Sequence, residues 1–292
     1  SHGMPISGND MIFLAFGALA ARSADCPARP GCQGRRSCRP RCATRWPAVA
    51  SAMEPVENLL AWKGAVVAGA FALLFAAERV WPAVGRPSPA WPRLGRNGAL
   101  WLVNVGLSLG LVLPLTQWAD SQALAWRPPW WSGSAGLAAD LVLLDLIIYW
   151  WHRANHEVPV LWRFHAVHHA DRFLDTTTAI RFHFGEVALS ALFRAGIVIL
   201  LAFPLGSVLI FEALLLTAAL FHHSNLRLPA RLEREISRVI ITPSLHWVHH
   251  HARRADTDST YGTVFSFWDR LFRTYRAEPA HELGLRLRAD RR

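Results

Sequence analysis

Histidines able to share a metal stand in three groups: His152-Arg-Ala-Asn-His156, His165-Ala-Val-His168-His169 and His246-Trp-Val-His249-His250. On a helix, residues three or four apart share a face, so each group can aim its imidazoles at one centre. Neutral imidazole is a common ligand for borderline metals, and eight of them exceed what one tetrahedral zinc accepts. The spacing therefore predicts two metal ions. A single histidine would carry no such weight; the repetition does. Other chemistries lack their signatures: there is no glycine-rich phosphate loop and no Gly-x-Ser-x-Gly turn, and Glu157 follows His156 without the partner a His-Glu-x-x-His site needs.

The elements that must position these groups are apolar. Of 292 residues, 52% are hydrophobic, with 14 Trp and 15 Phe, and mean hydropathy is +0.18. The net charge of +10 comes almost entirely from arginine, Lys63 being the single lysine. The arginines gather between apolar runs and at the C-terminus, as in the cytoplasmic loops of membrane proteins, and no nucleic-acid motif accompanies them, so no nucleic-acid partner is expected. All four cysteines, Cys26, Cys32, Cys38 and Cys42, fall in an Arg- and Pro-rich stretch whose spacing matches no zinc knuckle. Residues 1–52 are expected to be poorly ordered or a non-native extension, with Met53 as the natural start of a membrane-embedded domain over 53–292.

The expected fold is all-α: an integral membrane helical bundle beneath which a cytoplasmic, histidine-rich helical cap, residues 152–186 and 222–280, holds a two-metal centre. Spans are predicted at 61–77, 99–118 and 135–151, followed by a hairpin over 187–221 that turns at Pro204 and Gly206. Arg86, Arg93 and Arg96 mark the first loop as cytoplasmic, the third span delivers His152 to that side, and the hairpin returns there with His222-His223-Ser-Asn225. Asp145 lies two turns before His152 on the same face, where it could accept a proton from a ligating imidazole and fix its tautomer; the alternative is a helix-packing carboxylate with an unrelated donor. Arg194 and Glu212 lie at similar distances from the turn and are expected to pair.

Histidine-only ligation sets the site apart from soluble di-iron bundles, which use Glu together with Glu-x-x-His. Neutral ligands around two irons would leave a strongly positive, oxidising centre, and apolar helices above it would give a lipid chain a dry route to the metals. Metal placement and membrane burial together point to lipid oxidation.

From about Asp140 to Tyr275 the chain resembles the fatty acid hydroxylase and sterol desaturase superfamily of membrane di-iron enzymes. The resemblance rests on Asp145-Leu-Ile-Ile-Tyr149-Trp-Trp-His152-Arg153-Ala-Asn-His156, His165-Ala-Val-His168-His169, His223-Ser-Asn225, Thr242-Pro243-Ser-Leu-His246-Trp-Val-His249-His250, Tyr261-Gly262 and Trp268-Asp269-Arg270-Leu-Phe-Arg-Thr274-Tyr275. It implies O2-dependent, two-iron hydroxylation or desaturation of a lipid. The implied ligands are His152, His156, His165, His168, His169, His223, His246, His249 and His250, with zinc able to replace iron on purification. His222 competes with His223, whose Ser-Asn225 neighbours match the family. His183, followed by Phe184 where the family usually has proline, could serve as ligand, support or substrate gate, and His251 lies beyond the triplet. Two further departures fall outside the ligand set. Thr260 precedes Tyr261-Gly262 where asparagine is common, and Arg273 replaces the usual glycine before Thr274-Tyr275.

No flavin- or cytochrome-like stretch is present, so electrons are expected from a separate reductase, ferredoxin or cytochrome. Arg227, Arg231, Arg234 and Arg238, spaced along an expected helix, could dock an acidic donor or hold anionic lipid headgroups. The expected setting is a bacterial inner membrane with the site on its cytoplasmic side. Hydroxylation is the first expectation and desaturation the alternative. A membrane zinc hydrolase would need fewer ligands and a carboxylate base, and a non-catalytic metal scaffold or transporter would scatter histidines through its spans.

Overall fold

A computed structural model describes residues 46–86 and 89–277. The cysteines and nearly all of the expected N-terminal extension lie outside the described residues. The chain divides into two units, Ser1–Met53 and Glu54–Arg292, and the bundle and the site lie in the second. Among the described residues there is no strand, only isolated bridges at Pro82–Leu226 and Ile240–Phe265.

The long elements are α1 (Trp46–Val80), α2 (Trp91–Leu107) continued through a π-helical turn (Ser108–Val112) into α3 (Leu113–Ser121), α4 (Gly133–Glu157), α6 (Phe184–Leu201) and α7 (Leu205–His223). Five segments are long and apolar enough to cross a membrane: Val56–Val80, Trp91–Ser121, Gly133–Glu157, Phe184–Leu201 and Leu205–His223. These match the five runs expected from hydropathy: the first three extend beyond the expected bounds at both ends, and the two limbs of the hairpin run from Phe184 to Leu201 and from Leu205 to His223 against the expected 187–221. Their outer faces carry apolar side chains open to the surroundings, among them Leu73 at 70% and Leu109 at 66% exposure, as suits lipid and not water. The molecule is an integral membrane helical bundle.

Its core lies between α3, α4, α6 and α7, where Ala119, Leu144, Ala195, Val198, Phe203, Val208 and Phe211 pack together. The turn between α6 and α7 is short because Ala202 takes a left-handed conformation (φ 53°) and Pro204 cannot continue a helix. Arg194 and Glu212 pair across this hairpin at 2.7 Å, as expected. Lys63 of α1 joins them by donating to Glu212, so the chain's single lysine ties the outermost helix to the hairpin.

Hydrogen bonds gather the ends of the spans into two layers. At one end Asp120 accepts from the Leu205 N–H (2.9 Å), and Asp140 accepts from Ser207 (2.7 Å), Trp131 (2.9 Å) and Arg127. At the other, Glu78 at the end of α1 accepts from Thr176 N–H (2.9 Å) and hydroxyl (2.8 Å) and from Asn225 N–H (3.0 Å). Arg93, at the start of α2, bridges Asp171 (2.7 Å) and Asp175 (2.6 Å). This second end carries the histidines, on α5 (Pro159–His169), the ends of α4 and α7, and α9 (Pro243–His249), which follows the short α8 (Ala230–Ile236).

Candidate metal centre

Proline sets the phase of two of the histidine-bearing helices. Pro159 opens α5 and Pro243 opens α9, each at a first-turn position where the missing N–H is no loss and the fixed φ is already helical. Every later side chain takes its direction from that start, so His165, His168 and His169 turn one face of α5 inward, and His246, His249 and His250 do the same from α9 and its C-terminal cap.

The nine histidines of the three groups and His223 meet as two sets. His152, His156, His165, His169 and His249 offer nitrogens that all lie within 4.8 Å of one another, and so do His168, His223, His246 and His250. Neither set contains a carboxylate. His152 and His169 are half-buried and the other seven are buried, with His249 and His250 at 0% exposure.

The proton positions decide what this arrangement can hold. His152 Nδ1 donates to the Tyr261 carbonyl (2.8 Å), His249 Nδ1 to Ser259 (2.7 Å), His223 Nδ1 to Ala219 (2.7 Å) and His168 Nδ1 to Arg181 (3.2 Å), while His165 Nδ1 donates to the Glu186 carboxylate (2.8 Å). A carbonyl only accepts, so each of the four rings bonded to one carries its proton on Nδ1, and in the neutral ring Nε2 presents a bare lone pair. Yet His249 and His152 face each other Nε2 to Nε2 at 3.1 Å, and His223 and His168 at 2.9 Å. With no proton left to share, such pairs repel unless a cation lies between them. Burial, reinforced by neighbouring imidazoles, holds His168, His169, His246 and His250 well below the usual histidine range, and burial takes His249 to about 3. Neutral, mutually facing imidazoles are the state a metal requires. The donor set therefore fits two soft-to-borderline metal ions, one for each set.

Comparison with known proteins agrees with this geometry. The fatty acid hydroxylase family matches residues 137–274, which contain every one of these histidines. Over that stretch, somewhat less than half of the chain, the sequence is similar to that family. It is similar to human alkylglycerol monooxygenase, 29% identical over 160 residues that make up 53% of this chain and 33% of the human protein. It is also similar to an ornithine lipid hydroxylase of Rhizobium tropici, 28% identical over 182 residues, 61% of this chain and 54% of the relative. A very-long-chain aldehyde decarbonylase of rice is 28% identical over 157 residues, 50% of this chain and 25% of the relative. The chain thus spans between a quarter and about half of the length of these relatives. No solved structure matches it.

Within the matched stretch, two of the carbonyls that hold the imidazoles, those of Ser259 and Tyr261, come from a loop braced by two buried carboxylates. Asp145 accepts from the N–H groups of Val264 (3.2 Å) and Phe265 (3.1 Å) and from the Trp268 indole (2.9 Å). This corrects the expectation that it would fix the His152 tautomer: the Tyr261 carbonyl does that, and Asp145 acts on the loop behind it. Asp269 accepts from Tyr261 N–H (2.7 Å), Gly262 N–H (2.9 Å) and Thr274 (2.7 Å); burial lifts it to about 6 against these donors. Gly262 is required by close approach, since a Cβ there would sit 2.6 Å from Asp269 Oδ2 and 2.7 Å from the Phe265 carbonyl.

The remaining predicted residues fall beside the two sets. His222 is buried with its ring 4.0 Å from that of His246 and its Nδ1 unpartnered, outside both sets. His183 caps α6 by accepting from Gly185 N–H (3.0 Å) and stacks between Phe184 and Phe164. Asn225 clips the loop after α1, exchanging hydrogen bonds with Val84 N–H (3.1 Å) and carbonyl (2.9 Å). His251 pairs with Asp256 at 3.3 Å. Sequence reasoning missed the part played by Glu186, the acid three residues after His183, which orients His165. Its signal was an acid buried in the first turn of an apolar helix.

Proposed function

We propose that the chain is an oxidative, lipid-modifying membrane enzyme, an O2-dependent di-iron hydroxylase, with desaturation as the alternative outcome on the same centre. The observation that carries the reading is the pair of buried imidazole sets whose Nε2 lone pairs face one another while their protons are held elsewhere. The proposed ligands are His152, His156, His165, His169 and His249 for one ion, and His168, His223, His246 and His250 for the other. When bound, the iron pair would supply O2-dependent oxidation of an unactivated C–H bond, which no side chain can perform.

The residues themselves bind, orient and exclude water. Main-chain carbonyls of Tyr261, Ser259, Arg181 and Ala219 and the Glu186 carboxylate keep five imidazoles in the ligating tautomer. The α4, α6 and α7 ends seal the centre against the apolar bundle, which supports an acyl or sterol chain as substrate. The names of the relatives, a monooxygenase and a hydroxylase of lipids, favour the same class. Electrons would come from a separate reductase, ferredoxin or cytochrome. The site would face the cytoplasm, because Arg86, Arg93, Arg96 and Arg227 to Arg254 all attach to its end of the bundle.

The test is metal analysis of anaerobically purified protein together with lipid profiling of cells expressing the wild type or His249→Ala. Two irons per chain and an oxygenated lipid that disappears in the variant are expected. Zinc as the functional metal, or lipid turnover indifferent to O2, would overturn the proposal.

A further inference from the structure

Beside the metal centre lies a cavity of about 360 Å³ lined by Arg93, Arg96, Ala170, Asp171, Arg172 and Arg181, within the size range of small-molecule sites. Its charge is not balanced. Arg93 is saturated, with Asp171 and Asp175 on its guanidinium and further bonds to Phe173 O (2.7 Å) and Thr178 (2.9 Å). Arg96 and Arg172 are exposed and have no hydrogen bond or ion pair among the described residues. Arg181 spends Nε on the Val167 carbonyl (2.8 Å) and one Nη on Asn97 (2.9 Å), and makes no ion pair among the described residues. Burial, followed by repulsion from Arg96 and Arg93, lowers its affinity for its own proton despite Asp171 nearby.

Three guanidiniums lining one concavity, those of Arg96 and Arg172 with their forks free and that of Arg181 with one Nη left over, make a receptor for an oxyanion. The depth of the cavity suggests its source. Arg96 stands one turn into the candidate span Trp91–Ser121, whose first residue, Trp91, is 80% exposed, the composition found where a helix enters the headgroup layer. The cavity also touches the metal centre: Ala170 and Asp171 directly follow His169, and the Arg181 carbonyl accepts from His168 Nδ1 at 3.2 Å.

We propose that Arg96, Arg172 and Arg181 bind the phosphate oxyanion of a lipid headgroup and so seat an anionic lipid against the metal-bearing helix. This deepens the lipid reading and depends on it for the role of substrate, though not for binding itself. The test uses full-length, metal-loaded protein in a neutral maltoside detergent, with binding followed by microscale thermophoresis. The probes are dihexanoylphosphatidylglycerol, uncharged dihexanoylglycerol and inorganic phosphate. The phosphatidylglycerol should bind at least about tenfold more tightly than either other probe, and Arg96→Gln with Arg172→Gln should weaken it by about tenfold or more. Arg253→Gln, exposed and outside the cavity, should bind as wild type, and metal content should be the same in all three proteins. Retention of affinity in the double variant, an equal loss in Arg253→Gln, or equal binding of the uncharged lipid overturns the site. Inorganic phosphate binding as tightly as the lipid overturns the headgroup as its source. Failure of O2-dependent oxidation with this binding intact would instead count against the function proposed above.

Discussion

Two residues that depart from the superfamily pattern, Thr260 and Arg273, both occupy the left-handed region, at φ 52° and 59°. Asparagine and glycine are the residues that tolerate it best, which explains what the pattern prefers there. Arg273 is exposed and its side chain makes no hydrogen bond among the described residues, so Arg273→Gly should relieve strain of about 1 kcal/mol and raise the thermal unfolding midpoint in detergent. Gly262→Ala should act in the opposite sense, forcing the Asp269 loop outward at about 1–3 kcal/mol and lowering metal content with it. Glu186→Gln keeps the shape but weakens the hold on His165; metal affinity, read by chelator competition, should drop roughly 10–100-fold. Ligand candidates were legible from sequence because helical spacing alone decides which side chains share a face. The partners of those ligands were not. Asp145 does lie on the His152 face, but its donors arrive from Val264, Phe265 and Trp268, and no local periodicity reports a loop that folds back from so far along the chain.

Among the helices, the Arg194–Glu212 pair could be foreseen because both residues belong to one hairpin and lie at matched depth. The third member, Lys63, could not, since its approach depends on how α1 packs against that hairpin. Its presence changes the expected mutational pattern. Glu212→Gln leaves two cations without a counter-charge and should destabilise the bundle by about 3–5 kcal/mol, whereas Lys63→Met leaves Glu212 paired with Arg194 and should be milder. Replacing Glu212 and Arg194 together by neutral isosteres should cost less than Glu212→Gln alone. Unfolding in detergent ranks the variants, and additive losses would exclude an electrostatic coupling. The spans themselves were readable because a helix in lipid must be apolar along its whole length; the first two ran longer than the hydropathy because Glu78 and Arg93 are buried by partners in distant loops.

For the molecule as a whole, the buried imidazoles make stability depend on acidity. A histidine whose folded pKa lies below the ordinary 6.5, as His249 does at about 3, binds more protons when unfolded. Its contribution is therefore complete above pH 6.5 and is lost as pH falls from there toward 3. Metal-free protein should show a falling unfolding midpoint from about pH 7 to about pH 5, and metal-loaded protein should release its ions over the same interval by proton competition; a midpoint that rises on acidification would contradict the buried, neutral state. The two histidine sets also draw on residues 152 to 250, interrupted by the α6–α7 hairpin, and their supporting carbonyls extend to Tyr261. A ribosome must therefore have released all five membrane segments before either pocket can close. Capture of the proposed ions would then be a late checkpoint of biogenesis: a chain arrested before residue 246 would hold an open, incomplete cage, and quality-control proteases could distinguish it from the finished protein by that defect alone.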